Sequence, residues 1–86
     1  MYNIIYSSQA QKDAKKAAKS GMKDSIQKLI EILQNDPYKN PPPFEKLLGD
    51  LSGSYSRRIN MQHRLVYQIY EKEKTVKIIR MWTHYE

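Results

Sequence analysis

The chain has no cysteine, which excludes a disulfide framework, a thiolate metal site and a cysteine nucleophile. Its three glycines stand in separate places and form no glycine-rich phosphate loop. The two histidines and the scattered carboxylates lack metal-ligand spacing, so we expect no metal and no other cofactor. No apolar run approaches the roughly 20 residues of a membrane helix, and the amino terminus lacks the features of a signal peptide. We therefore expect a cytoplasmic protein with no membrane partner.

The composition gives the chain an excess of positive charge. It has 86 residues, a formal net charge of +6 and an isoelectric point of about 9.6. A chain of this length has room for one modest core, so we expect a single domain spanning residues 1–86. The basic excess favours a polyanionic partner, because each neutralised phosphate releases counterions. An acidic protein partner would satisfy the same field, and charge alone does not choose between them.

Side-chain spacing in the first half predicts one strand and two helices. Residues 2–6 are rich in aromatic and β-branched side chains, which is typical of a short strand. Alanines on one side and lysines on the other then indicate a helix that a serine caps and that Ser20-Gly21 ends. Apolar residues at steps of three and four predict a second helix, which Asp36-Pro37 stops.

The second half is typical of strands that follow an irregular connector. All four prolines lie within residues 37–43, which we interpret as an extended connector. Residues 55–59, 64–70 and 75–82 each mix β-branched, aromatic and charged side chains. Alternation along the middle strand places Tyr67 in the core. The expected order is β-α-α-β-β-β, an α+β fold in which a helical hairpin packs on one face of a mostly antiparallel sheet and leaves the other face for function.

The second half also carries a specific combination of motifs. These are Glu45, the turn Leu51-Ser52-Gly53, then Ser56-Arg57-Arg58-Ile59, His63-Arg64-Leu65-Val66-Tyr67 and the terminal His84-Tyr85. The combination resembles the YoeB/Txe family of toxins from bacterial toxin–antitoxin pairs, within the wider RelE/ParE-like fold. In motif the resemblance covers about the second half of the chain, and in architecture it covers all of it.

The resemblance implies a toxin that cuts mRNA in the ribosomal A site during translation and that a cognate antitoxin holds inactive. It implies a catalytic group made of Glu45, Arg64, His84 and Tyr85. The expected partners are mRNA, the ribosome and an antitoxin that lays an acidic, partly disordered segment over the basic face. Related toxins are often dimeric, so a homodimer is expected as well.

The four residues of the catalytic group suit RNA cleavage without a metal. RNA supplies its own nucleophile, the 2′-OH, so the protein must accept that proton, stabilise the phosphorane and protonate the leaving 5′ oxygen. Glu45 is the candidate base, and neighbouring cations would keep it ionised. His84 is the candidate acid, since an ordinary histidine pKa of about 6.5 allows it to carry a proton near neutrality. Arg64 offers a fork of donors to two phosphate oxygens, and Tyr85 orients the phosphate or stacks on a base.

Further residues are candidates for positioning RNA. Tyr55 and Trp82 suit base stacking, although each suits the core or an interface equally well. Arg57 and Arg58 lie on opposite faces of one strand, so at most one of them faces the site, and both are expected to position RNA or to bind the partner. His63 lies in a turn and is expected to be structural or at the edge of the substrate.

Two departures from the family pattern affect this set. Other members often have Pro-Glu-Pro-Leu-Lys where this chain has Phe44-Glu45-Lys46-Leu47-Leu48. The basic residue is displaced, so Lys46 is the candidate for positioning RNA in its place, and whether it replaces the family lysine is left open. Glu86 follows the terminal tyrosine and adds a carboxylate beside His84.

Two other functions fit parts of the sequence. A toxin of the same fold that acts on DNA gyrase, as ParE-like relatives do, would need neither an acid nor a base. A plain RNA- or ribosome-binding module fits the positive charge as well as a nuclease does. Without the family motif, Glu45 is more typical of a surface carboxylate paired with a lysine, and Arg64 suits a salt bridge on an exposed sheet face as well as it suits a phosphate.

Overall fold

The computed structural model describes residues 1–81, in which two helices lie on one face of a five-stranded mixed sheet. The elements are β1 (Asn3–Tyr6), α1 (Ser8–Lys19), α2 (Lys23–Asn35), β2 (Glu45–Lys46), a 3-10 turn (Gly49–Leu51), β3 (Tyr55–Arg58), β4 (Arg64–Tyr70) and β5 (Thr75–Arg80). The strand order is β1-β5-β4-β3-β2, with β1 parallel to β5 and every other pair antiparallel. Within residues 1–81, neither helix is long and apolar enough to cross a membrane.

The predicted α+β class is confirmed, with one strand added to the expected order. The extra strand, β2, has two residues and pairs with β3 through Glu45–Ser56 and Lys46–Tyr55. Two residues are too few to show the alternation by which a strand is recognised, and the preceding prolines favour a connector. The short strand matters because it fixes which face of the sheet Glu45 occupies.

The first helix begins where the sequence predicts and is tied to the sheet at that point. The Ser7 Oγ accepts a hydrogen bond from the Ala10 N–H at 3.0 Å, which caps α1. The same hydroxyl donates to the Ile79 carbonyl at 2.7 Å. One side chain therefore starts the helix and fixes its end against β5.

Alternation along β4 divides the sheet into a helix-side face and an open face. Leu65 and Tyr67 are fully buried and belong to the core between sheet and helices, as the pattern predicts. Val66 points to the other face. The core is completed by apolar residues of both helices and of β5: Ala10, Ala17, Met22, Ile26, Leu29, Ile30, Leu33, Val76, Ile78 and Met81. The helices thus cover one face of the sheet and not the other.

The proline-rich connector is held against the helix-side face by Arg57. This arginine is fully buried. Its guanidinium donates to the Pro42 carbonyl at 2.6 Å, to the Pro37 carbonyl at 3.0 Å and, through Nε, to the Tyr67 hydroxyl at 2.8 Å. It also lies 4.9 Å from the centre of the Phe44 ring. Because Phe44 precedes β2, the same contacts fix the chain on its way into that strand.

A polar cluster joins the residue before β1, the connector and the turn between β4 and β5. The Glu71 carboxylate accepts hydrogen bonds from the Tyr2 hydroxyl at 2.7 Å, from Lys74 Nζ at 2.9 Å and from the Tyr38 hydroxyl at 2.8 Å. These three donors lower the pKa of Glu71 to about 2. The bond to Glu71 in turn raises the pKa of Tyr38 to about 12.

Replacing Glu71 by glutamine should flatten the acid side of the stability profile. Because folding lowers its pKa, the contribution of Glu71 is complete above the ordinary value of 4.5 and is lost as the pH falls towards about 2. Thermal melts should therefore show wild type above Glu71→Gln near neutrality and the two converging at low pH. Glu73→Gln is the matched control, since this carboxylate of the same turn makes no hydrogen bond or ion pair within residues 1–81. A Glu71→Gln difference that stays constant on acidification would contradict the prediction.

Candidate active site on the open face of the sheet

Three strands bring an acidic and two basic side chains together on the open face. Glu45 of β2 lies opposite Ser56 of β3, and Arg58 of β3 lies opposite Arg64 of β4. An Arg64 guanidinium nitrogen is 3.9 Å from Glu45 Oε1. These four residues and Pro43 line a shallow concavity of about 280 Å³, called the groove below.

The charges of the groove favour an anionic ligand. Like charges directly opposite each other on two strands repel, and Arg58 and Arg64 form such a pair. Of the five residues that line the groove, two are cations and one is an anion. The Glu45 side chain is 67% exposed, and an exposed ion pair at 3.9 Å contributes little to folding. This pair therefore contributes little to holding the sheet together.

Arg80 extends this positive surface across the open face. A β-bulge lies between the pairs Tyr67–Ile78 and Val66–Arg80. The two pairs are one residue apart along β4 but two residues apart along β5. Strict alternation would place Arg80 on the same face as Ile78, in the core. The bulge moves it instead to the face of Val66, where it is exposed. Arg80 is not among the predicted site residues, because a bulge of this kind leaves no signal in the alternation of the sequence itself.

Four of the residues predicted to bind RNA lie in other places. Lys46 is exposed on the helix-side of β2, opposite Tyr55 and away from Glu45. Tyr55 is half-buried in an aromatic cluster, stacked on Tyr67 at 5.8 Å between ring centres. His63 is 4% exposed, in the connection between β3 and β4. Arg57, expected to position RNA or to bind the partner, does not reach the groove, because its guanidinium is buried on the helix-side face and donates hydrogen bonds to the connector.

The predicted residues Trp82, His84 and Tyr85, together with Glu86, lie outside the described residues. Of the predicted catalytic group, the structure therefore places Glu45 and Arg64, and it brings them together. Of the predicted positioning residues, Arg58 alone of those within residues 1–81 lines the groove. Residues 1–81 contain no group of three or more histidine, aspartate or glutamate side chains arranged to hold a metal ion.

The two-helix, five-strand architecture of the described residues is that of small bacterial toxins of known structure. The YoeB–YefM complex from Staphylococcus aureus contains a chain that is 34% identical to this one, with 99% of each chain covered and a TM-score of 0.82. The YoeB/ParE toxin from Agrobacterium tumefaciens is 26% identical over 96% of this chain and 99% of its own, with a TM-score of 0.87. Two solved structures thus share both the fold and a clear part of the sequence.

Sequence comparison narrows this class to one family. The model of the YoeB-like toxin of bacterial type II toxin–antitoxin systems matches residues 6–85. Toxin YoeB of Synechocystis is 41% identical over 61 residues, which are 71% of this chain and 69% of the relative. Toxin YoeB of Mycobacterium bovis is 45% identical over 51 residues, so that the chain spans 60% of that relative's length. The chain belongs to the family of YoeB-like toxins.

Proposed function

We propose that this toxin is a ribosome-dependent endoribonuclease that cuts mRNA in the A site and thereby stops translation. The observation that carries the proposal is the Glu45–Arg64 pair, which lies with Arg58 in an open, positively charged groove. A base beside a phosphate-binding arginine is what cleavage by the 2′-OH requires. The similarity to YoeB toxins supports the same proposed function for the groove.

In the proposed reaction, the scissile phosphate takes the place of the Glu45 carboxylate beside the Arg64 guanidinium. Glu45 then accepts the proton of the 2′-OH while that oxygen attacks phosphorus. The bond from phosphorus to the 5′ oxygen breaks, and the departing oxygen takes a proton from His84, whose role follows from the family motif. The products are a 2′,3′-cyclic phosphate and a 5′-hydroxyl, so the proposed reaction consumes no water and includes no metal. Arg64 and Arg58 stabilise the charge that the phosphorane gains.

An antitoxin is the proposed protein partner. The relatives from Staphylococcus aureus have been solved as a YoeB–YefM complex, as a heterotetramer with the antitoxin and as a YoeB dimer. For this chain we propose an acidic antitoxin segment that covers the groove, since carboxylates would pair with Arg58 and Arg64 in place of RNA phosphates. We also propose that the toxin forms a homodimer.

The proposal is tested by adding the purified chain to a reconstituted translation reaction and mapping mRNA ends by primer extension. Cuts within translated codons, absent from the same RNA without ribosomes, are the expected result. Blocked translation with uncut mRNA would contradict the nuclease and point to a ribosome-binding module. Uncut mRNA with normal translation would contradict both and call for a gyrase supercoiling assay.

A further inference from the structure

The floor of the groove holds a buried hydroxyl group, that of Ser56. Ser56 is 1% exposed and lines the groove, and it also lines an adjoining concavity with Glu45, Leu47 and Arg64. Within residues 1–81 its Oγ has no hydrogen-bond partner. Buried hydroxyl groups are nearly always hydrogen-bonded, so one without a partner calls for an explanation.

Folding offers no explanation for this hydroxyl. Alternation places the Ser56 side chain on the open face, between Glu45 on one neighbouring strand and Val66 on the other. An alanine would fill the same position without leaving a polar group unsatisfied. A nearby serine shows the ordinary case, because Ser54 is also buried and its Oγ accepts a hydrogen bond from the Gln68 amide at 3.3 Å.

We propose that Ser56 is a substrate-contacting residue whose hydroxyl donates a hydrogen bond to a non-bridging oxygen of the scissile phosphate. The proposal rests on the nuclease function above and adds a third donor to the site of Arg58 and Arg64. The proposed contact requires the phosphate to take the place of the Glu45 carboxylate beside Arg64, and the Glu45 side chain is 67% exposed, which leaves it room to turn aside. In this proposal the substrate supplies the partner that the hydroxyl lacks within residues 1–81.

Ser56→Ala should separate activity from stability. A hydrogen bond to the charged phosphate in the transition state corresponds to about a 10- to 100-fold change in rate, so single-turnover cleavage of ribosome-bound mRNA should slow by that factor. The thermal midpoint of unfolding should stay the same or rise, because the substitution removes an unsatisfied buried group. Ser54→Ala is the matched control, and it should cleave at the wild-type rate while its midpoint stays the same or falls.

A sulfur substitution in the RNA tests for direct contact. Short mRNAs that carry sulfur in place of one or the other non-bridging oxygen of the scissile phosphate would be bound to ribosomes and cleaved by each variant. Sulfur accepts hydrogen bonds poorly, so one of the two diastereomers should be cleaved slowly by wild type, and this penalty should shrink in Ser56→Ala but persist in Ser54→Ala. A merely structural role of Ser56 would leave the penalty unchanged.

These experiments distinguish failure of the Ser56 contact from failure of the nuclease function. Wild-type cleavage by Ser56→Ala, with Glu45→Gln inactive, would overturn the role of Ser56 and leave the nuclease function standing. Unchanged sulfur penalties in a slow Ser56→Ala variant would overturn direct contact. An uncut ribosome-bound mRNA with the wild-type toxin would overturn both proposals.

Discussion

Glu45→Gln should abolish most of the cleavage activity and leave the fold intact. Glutamine keeps the size of the side chain but accepts no proton from the 2′-OH, and loss of a general base slows a reaction by about 10²- to 10⁴-fold. The Glu45 side chain is 67% exposed at the end of a two-residue edge strand, so its charge contributes little to stability. Single-turnover cleavage of mRNA on ribosomes measures the first effect, and a thermal melt measures the second.

Two variants show whether the effect of Glu45→Gln is specific. Glu73→Gln removes the same charge from an exposed position in the β4–β5 turn, and it should cleave at the wild-type rate. Arg64→Lys keeps the positive charge beside Glu45 but loses the planar fork that holds two phosphate oxygens, so its rate should also fall. Wild-type cleavage by Glu45→Gln would remove the base from the proposed mechanism and favour a toxin that acts by binding.

The helices and the faces of β4 are predictable because their signals are local. The helix bounds follow from signals that only a few neighbouring residues carry: a serine before α1, an apolar stripe along α2 and Asp36-Pro37 at the end of α2. In the same way, alternation over the seven residues of β4 is long enough to assign Leu65 and Tyr67 to the core. The family motif predicts that Glu45 and Arg64 belong to the catalytic group. Strand β3 pairs with β2 on one side and β4 on the other, and this pairing brings the two side chains to 3.9 Å.

What the sequence does not reveal depends on contacts between distant segments. The bulge in β5 that exposes Arg80 results from pairing with β4, and the strand β2 exists only because β3 lies beside it. The sequence shows Arg57 and Arg58 as two equal cations. Only the packed connector, 15 and 20 residues earlier in the chain, distinguishes the buried one from the one in the groove.

Arg57→Ala should therefore destabilise the fold far more than Arg58→Ala. Removing the buried guanidinium leaves the Pro37 and Pro42 carbonyls without their donor, and a hydrogen bond from a charged group contributes about 1.5–3 kcal/mol. We expect a loss of about 2–4 kcal/mol, because removing a buried charge offsets part of the lost bonds. In a domain of this size each 1 kcal/mol shifts the thermal midpoint by about 4–8 °C, so the melt should fall by roughly 10–25 °C.

The two neighbouring arginines form their own matched pair for this measurement. Arg58→Ala should change stability by less than about 0.5 kcal/mol, since its side chain is exposed, but it should weaken cleavage by removing a cation from the groove. Arg57→Lys should remain destabilised, because one ammonium group cannot reproduce three bonds in three directions. Equal melting temperatures for Arg57→Ala and Arg58→Ala would contradict the assignment of Arg57 to the connector. The expected result, a stability effect at one arginine and a rate effect at the next, would show that the two faces of a single strand divide folding from function.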